Sequence, residues 1–84
     1  MMYQISILRR AQKELADLPK TEFERVRDAI LELSGNARPI GCRKLVGREG
    51  WRIKIGNYRV IYEIEDTGKE INVLHVGHRR DVYS

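Results

Sequence analysis

Arg52, Lys54 and Arg59 stand close together in the stretch GWRIKIGNYRVIYEIED, residues 50–66, with no acidic residue between them. A lysine ammonium offers a point charge and an arginine guanidinium a planar fork, and both match phosphate oxygens. Such a set can hold a nucleic-acid backbone, or it can stabilise the charge of a pentavalent phosphorane without a metal. The surrounding sequence strengthens the signal. From Arg38 to Arg59 there are seven basic residues (Arg38, Arg43, Lys44, Arg48, Arg52, Lys54, Arg59) against the single acid Glu49, a local charge of +6 in a chain of net charge +4. A polyanionic partner is expected. A plain solvated basic surface is the competing reading.

Other chemistries find less support. One cysteine, Cys42, cannot form an internal disulfide, and with two histidines it offers no metal-ligand spacing. No metal and no cofactor are expected, and Cys42 reads as an inert loop or edge thiol. The opening residues MMYQISILRR place their charges after a short apolar run. This is the wrong order for a secretory signal, and no segment is long enough to span a membrane, so a cytoplasmic location is expected.

The positioning elements are set by periodicity. Tyr3, Ile5 and Ile7 alternate as in a strand with one buried face. Ala11, Leu15 and Leu18 then adopt a helical period that Pro19 closes. Thr21 and Glu24 have capping-box spacing, which predicts a second helix starting just after Thr21. Phe23, Val26, Ala29, Ile30 and Leu33 form its apolar stripe, and Gly35-Asn36 stops it. The segment ARPIGCRKLVGREG reads as loop or a short edge strand. Two strands around Gly56-Asn57, the turn DTGKE, a last strand INVLHVG and a polar tail complete the chain. Residues 1–84 form one α+β domain of order β-α-α-β-β-β, with a helical hairpin on one face of a small, mainly antiparallel sheet.

A two-residue turn at Gly56-Asn57 dictates the hairpin register. Ile55 faces Tyr58, Lys54 faces Arg59, Ile53 faces Val60, Arg52 faces Ile61 and Trp51 faces Tyr62. Trp51, Ile53, Ile55, Tyr58, Val60, Tyr62 and Ile64 then share an apolar face that covers the helices, with Trp51 and Tyr62 as core partners. Arg52, Lys54 and Arg59 share the opposite face, which is expected to be open. Directly opposed cations weaken a sheet by a few tenths to about 1 kcal/mol. They suit a surface awaiting phosphate, unless Glu63 or Glu65 screens them.

The helical hairpin followed by KLVG, WRIKIGNYRVIY and VLHVGHRRDVY resembles the RelE/ParE toxin superfamily, and within it the RelE messenger-RNA interferases, over nearly the whole chain. The resemblance implies a metal-independent endoribonuclease that cuts messenger RNA in the ribosomal A site. The ribose 2′-OH attacks the adjacent phosphate and leaves a 2′,3′-cyclic phosphate. By motif position Lys54 matches a catalytic lysine, Arg59 the arginine that stabilises the transition state, Arg79 the tail arginine near the leaving group, and Tyr83 the terminal tyrosine. Arg52, Arg43, Lys44, Arg48 and His78 are candidates for substrate binding.

Arg52 departs from relatives that carry a second lysine implicated in proton abstraction, and an arginine is a poor general base. The base role falls to Lys54 or to a histidine, His75 or His78; the plainer reading has His75 satisfied within the sheet and His78 on a solvent-facing flank. Family membership implies a RelB-like cognate antitoxin and the 70S ribosome with messenger RNA as partners. Operator DNA is reached only through the antitoxin, and no membrane is involved. The competing readings are a ParE-like toxin that inhibits gyrase by protein binding and a non-catalytic RNA-binding module.

Because no carboxylate or histidine cluster is spaced to hold a metal, cleavage should need none in its chemical step. Preformed ribosome complexes compared in magnesium and in a polyamine substitute should be cut at similar rates. An absolute requirement for one transition metal would contradict this.

Overall fold

Alternation and helical period produce seven elements in the computed structural model, which describes residues 2–78. They are β1 (Gln4–Ile7), α1 (Arg9–Ala16), α2 (Lys20–Glu32), β2 (Arg43–Lys44), β3 (Trp51–Ile55), β4 (Tyr58–Glu65) and β5 (Glu70–His78). The strands form one sheet of order β1-β5-β4-β3-β2, parallel between β1 and β5 and antiparallel elsewhere. Both helices pack on one face. Ala11 and Leu15 of α1, Val26 and Ile30 of α2 and Leu33 at its C-terminal cap meet Ile53, Val60, Tyr62, Ile71, Val73 and Val76 of the sheet. Among the described residues no helix is long and apolar enough to cross a membrane.

The start of α2 departs from the expectation. The helix begins at Lys20, with Pro19 in the cap position and no side-chain capping bond. The Phe23 N–H donates to the Pro19 carbonyl at 2.8 Å and closes the first turn. Thr21 therefore lies inside the first turn and cannot cap it. Pro19 ends one helix and sets the extended backbone from which the next departs, since proline lacks the N–H that a helix interior requires.

The hairpin register agrees with the sequence at all five pairs, from Ile55 with Tyr58 to Trp51 with Tyr62. Gly56 has φ +60°, whereas Asn57 is not among the residues of positive φ, the pattern of a tight II′ hairpin turn. Tyr62 is fully buried and donates its hydroxyl to the Ala37 carbonyl at 2.8 Å. Burial pushes its phenol well above the usual tyrosine range.

The last strand holds an irregularity that alternation alone would not place. Tyr62 pairs with Val73 but Ile61 pairs with His75, so Leu74 is an extra residue in a β-bulge. The bulge reconciles Val73 and Val76, three positions apart, which are both buried against the helices. It also sets the phase of the strand's end, with His75 opposite Ile61 and Gly77 opposite Arg59.

At the far end of the sheet a clamp joins β1 to the turn before β5. Arg38 donates to both Asp66 carboxylate oxygens at 3.3 and 2.9 Å, and the Tyr3 hydroxyl donates to the same carboxylate at 2.7 Å. The Arg38 guanidinium, then that hydroxyl, hold the Asp66 carboxyl down to about 2. A carboxyl whose folded value is depressed adds stability above its unfolded value and loses it as pH falls toward the folded one. Wild-type urea midpoints should therefore drop between about pH 4 and pH 2, and Asp66→Asn should flatten that fall while lowering stability at pH 7. Because the pair is exposed, the difference should shrink in high salt. Parallel pH profiles for the two proteins would contradict the assignment.

Candidate nucleic-acid interface

The sheet face away from the helices is built as cross-strand rows. One row runs Arg43, Arg52, Ile61, His75 across β2, β3, β4 and β5; the next runs Lys54, Arg59, Gly77. Neither row contains an acid. The acids occupy the other end of the same face, where Glu63 pairs with Asn72 and Glu65 with Glu70. A shallow cavity of about 360 Å³ there is lined by Glu49, Glu63, Glu65 and Glu70 among others. The face is thus polarised, basic toward the Gly56-Asn57 turn and acidic away from it. Glu63 is exposed and directly opposite Asn72, one row along the face from Ile61 and Arg52.

Burial divides the cations. Lys54 is exposed and Arg52 half-buried, whereas Arg59 is only 8% exposed. The expectation of an open face fails at this point. Arg59 belongs to the middle strand of five, flanked by β3 and β5, and its neighbour Ile61 on the same face is buried too. A guanidinium held at low exposure acts in a lower effective dielectric, where it interacts more strongly with phosphate than a solvated one does.

The remaining candidates scatter. Arg43 joins the basic face as the cross-strand partner of Arg52. Lys44 pairs with Trp51, so strand alternation sends it to the helix side. Arg48 is exposed in the loop between β2 and β3, a loop closed by the Leu45 N–H on the Gly50 carbonyl at 2.9 Å. His78 pairs with Tyr58 on the helix side and stands edge-on to it, with ring centroids 5.7 Å apart, half-buried rather than on a solvated flank. Arg38 is committed to Asp66 and also lies over the Trp51 ring at 5.0 Å. Arg79 and Tyr83 lie outside the described residues.

One contributor is hidden from any reading of local pattern. Glu14 of α1 reaches the edge of β5, where its Oε1 accepts the Val76 N–H at 2.9 Å and its carboxylate meets His75 Nδ1 at 2.7–2.8 Å. Arg10 Nε donates to the same carboxylate at 3.2 Å. Of these contacts the sequence shows only the i,i+4 spacing of Arg10 and Glu14.

Comparison with known proteins places these features in context. The family model described as the ParE toxin of type II toxin-antitoxin systems, parDE, matches residues 5–83. A relative provisionally named toxin RelE1, from Methanocaldococcus jannaschii, is 28% identical over 99% of this chain and 97% of its own. The archaeal RelE–RelB complex of Pyrococcus horikoshii contains a chain that superimposes with a TM-score of 0.84 at 29% identity, covering 96% of this chain and 99% of that one. In the intact RelBE toxin–antitoxin complex of E. coli the values are 0.79 and 28%, over 90% and 95% of the two chains.

The opposition of Lys54 and Arg59 has a thermodynamic consequence. Lys54→Gln keeps most of the aliphatic stem and removes one of two facing cations. The free protein should gain a few tenths to about 1 kcal/mol, more at low salt, where screening is weak. Urea unfolding at two ionic strengths checks this. A variant less stable at low salt would show that the lysine is structurally paired.

Proposed function

The chain belongs to the RelE/ParE superfamily, as a toxin of a type II toxin–antitoxin system, and from that premise we propose that it is an endoribonuclease acting on messenger RNA in the ribosomal A site. The observation that carries the reading is the pair of acid-free rows, which set Arg43, Arg52, Lys54 and Arg59 on one face of a rigid sheet. In the proposed reaction the ribose O2′ bonds to the adjacent phosphorus, the P–O5′ bond breaks, and a 2′,3′-cyclic phosphate and a 5′-OH result. Arg59, held at low exposure, stabilises the charge on the phosphorane oxygens. Lys54 lies across from it, exposed to the incoming strand. Arg79 offsets charge near the leaving group without giving up a proton, and Tyr83 orients the nucleotide. Arg52 and Arg43 track the neighbouring phosphates, and Arg48 in its loop contributes charge.

The Pyrococcus and E. coli relatives were crystallised with RelB. We extend that partnership to this chain: its neutralising partner is a RelB-like antitoxin, through which operator DNA is contacted. The targets are the ribosome and its messenger RNA, which places the protein in the cytoplasm.

A second reading is favoured by the matching family model, which is that of a ParE toxin. There the same fold inhibits DNA gyrase by protein binding, and the basic face is a docking surface without chemistry. Arg59→Ala and Arg79→Ala separate the two. If both residues act on charge that develops at the phosphate, each should lower the single-turnover cleavage rate by on the order of 10²-fold, with ribosome binding changed far less. Weakened binding at an unchanged saturating rate would reduce them to phosphate anchors. Loss of gyrase supercoiling by the wild type, with no cleavage, would establish the second reading.

A further inference from the structure

Arg52 leaves the proposed reaction without an evident proton acceptor, and the β5 bulge supplies one. Of the two histidines, His78 is turned to the helix side with Tyr58, whereas the bulge sets His75 in the row of Ile61, Arg52 and Arg43 on the basic face. Were Leu74 regularly paired with Ile61 instead of bulged, His75 would pair with Val60 and point into the core, and Val76 would lie opposite Arg59. The bulge is held in place by Glu14. Because β1 ends at Ile7, its pairing with β5 stops at Val73, and the Glu14 carboxylate takes up the Val76 N–H beyond that point.

The same carboxylate faces His75 Nδ1 at 2.7–2.8 Å, an arrangement that places a proton on Nδ1. In the neutral ring Nε2 then carries the lone pair. His75 is mostly shielded, with 17% of its side chain exposed. Among the described residues the charged groups around it are Glu14 and Arg10 on α1, Arg59 diagonally across on β4, and Arg52 two strands away in its own row. Diagonal neighbours on a sheet lie about 7–8 Å apart at Cα, a gap that long side chains and one bound phosphate can bridge.

We propose that Glu14 and His75 form a general-base dyad for this site, with His75 catalytic and Glu14 positioning it. This rests on the nuclease reading. The proton of the attacking 2′-OH passes to His75 Nε2 as the O2′–P bond forms. Nδ1–H stays on Glu14, and the P–O5′ bond breaks with the leaving oxygen protonated by the Lys54 ammonium. A carboxylate that orients an imidazole fixes which nitrogen is available, as in other oriented bases.

The test is single-turnover cleavage of messenger RNA on preformed ribosome complexes across pH, at saturating toxin. The wild-type rate should rise with pH along one limb. His75→Gln should lower the rate by on the order of 10²-fold or more and abolish that limb. Glu14→Gln still accepts the Val76 N–H but no longer orients the ring by charge, so it should lower the rate by a smaller factor and displace the limb, with ribosome affinity unchanged. Urea midpoints report folding. Should His75→Gln unfold, His75→Asn places an amide nitrogen where Nδ1 stood and carries the same test. Cleavage by wild type that His75→Gln and His75→Asn leave intact would overturn the dyad alone. No cleavage by wild type would overturn the nuclease reading and the dyad with it.

Discussion

The two-residue turn at Gly56-Asn57 is the constraint on which the rest of the structure depends. Strand side chains alternate with period 2, so a register slip of one residue would exchange the faces of the hairpin. In the observed register Ile53, Val60 and Tyr62 enter the core while Lys54 faces Arg59. Burying one Ile or Val side chain stabilises by roughly 1.5–3 kcal/mol, and opposing two cations costs about 1 kcal/mol at most. The apolar face therefore wins, and it carries the repelling cations into place as a by-product of its own packing. A fold with that margin can retain an electrostatic conflict that serves function.

A second constraint acts at the other side of the central strand. The bulge at Leu74 changes the phase of β5 between Val73 and Val76, so both valines can be buried while Gly77 rather than a bulky residue lies opposite Arg59. Glu14 joins this local backbone event to the helical layer, because it satisfies a strand N–H from a helix. The basic face is thus anchored at both ends. The turn sets β3 against β4, and the bulge with its carboxylate sets β5 against β4.

How much of this was legible in the sequence depended on the range of the interactions. The hairpin could be read residue by residue because its signals, period 2 and a Gly-Asn turn, are local. The bulge could not, since INVLHVG reads as an unbroken strand and only the burial of Val73 and Val76 together reveals the extra residue. Glu14 and His75 are 61 positions apart, and no periodicity announces such a pair. At Thr21 a capping-box signature competed with Pro19, whose carbonyl accepts the Phe23 N–H and so starts the helix at Lys20. Nothing in the hairpin's own alternation announces the low exposure of Arg59, which it shares with Ile61 on the same face. Lys44 and His78 fell on the helix side because their parity depends on registers that the turn at Gly56-Asn57 does not set.

The central claim, that the basic face cuts messenger RNA during translation, is tested most directly by primer extension on a defined messenger RNA after the protein is produced in cells. The account predicts new 5′ ends inside the translated frame, at fixed positions relative to codons, that vanish when the start codon is removed. Intact messenger RNA under growth arrest, with plasmids losing negative supercoils, would contradict it.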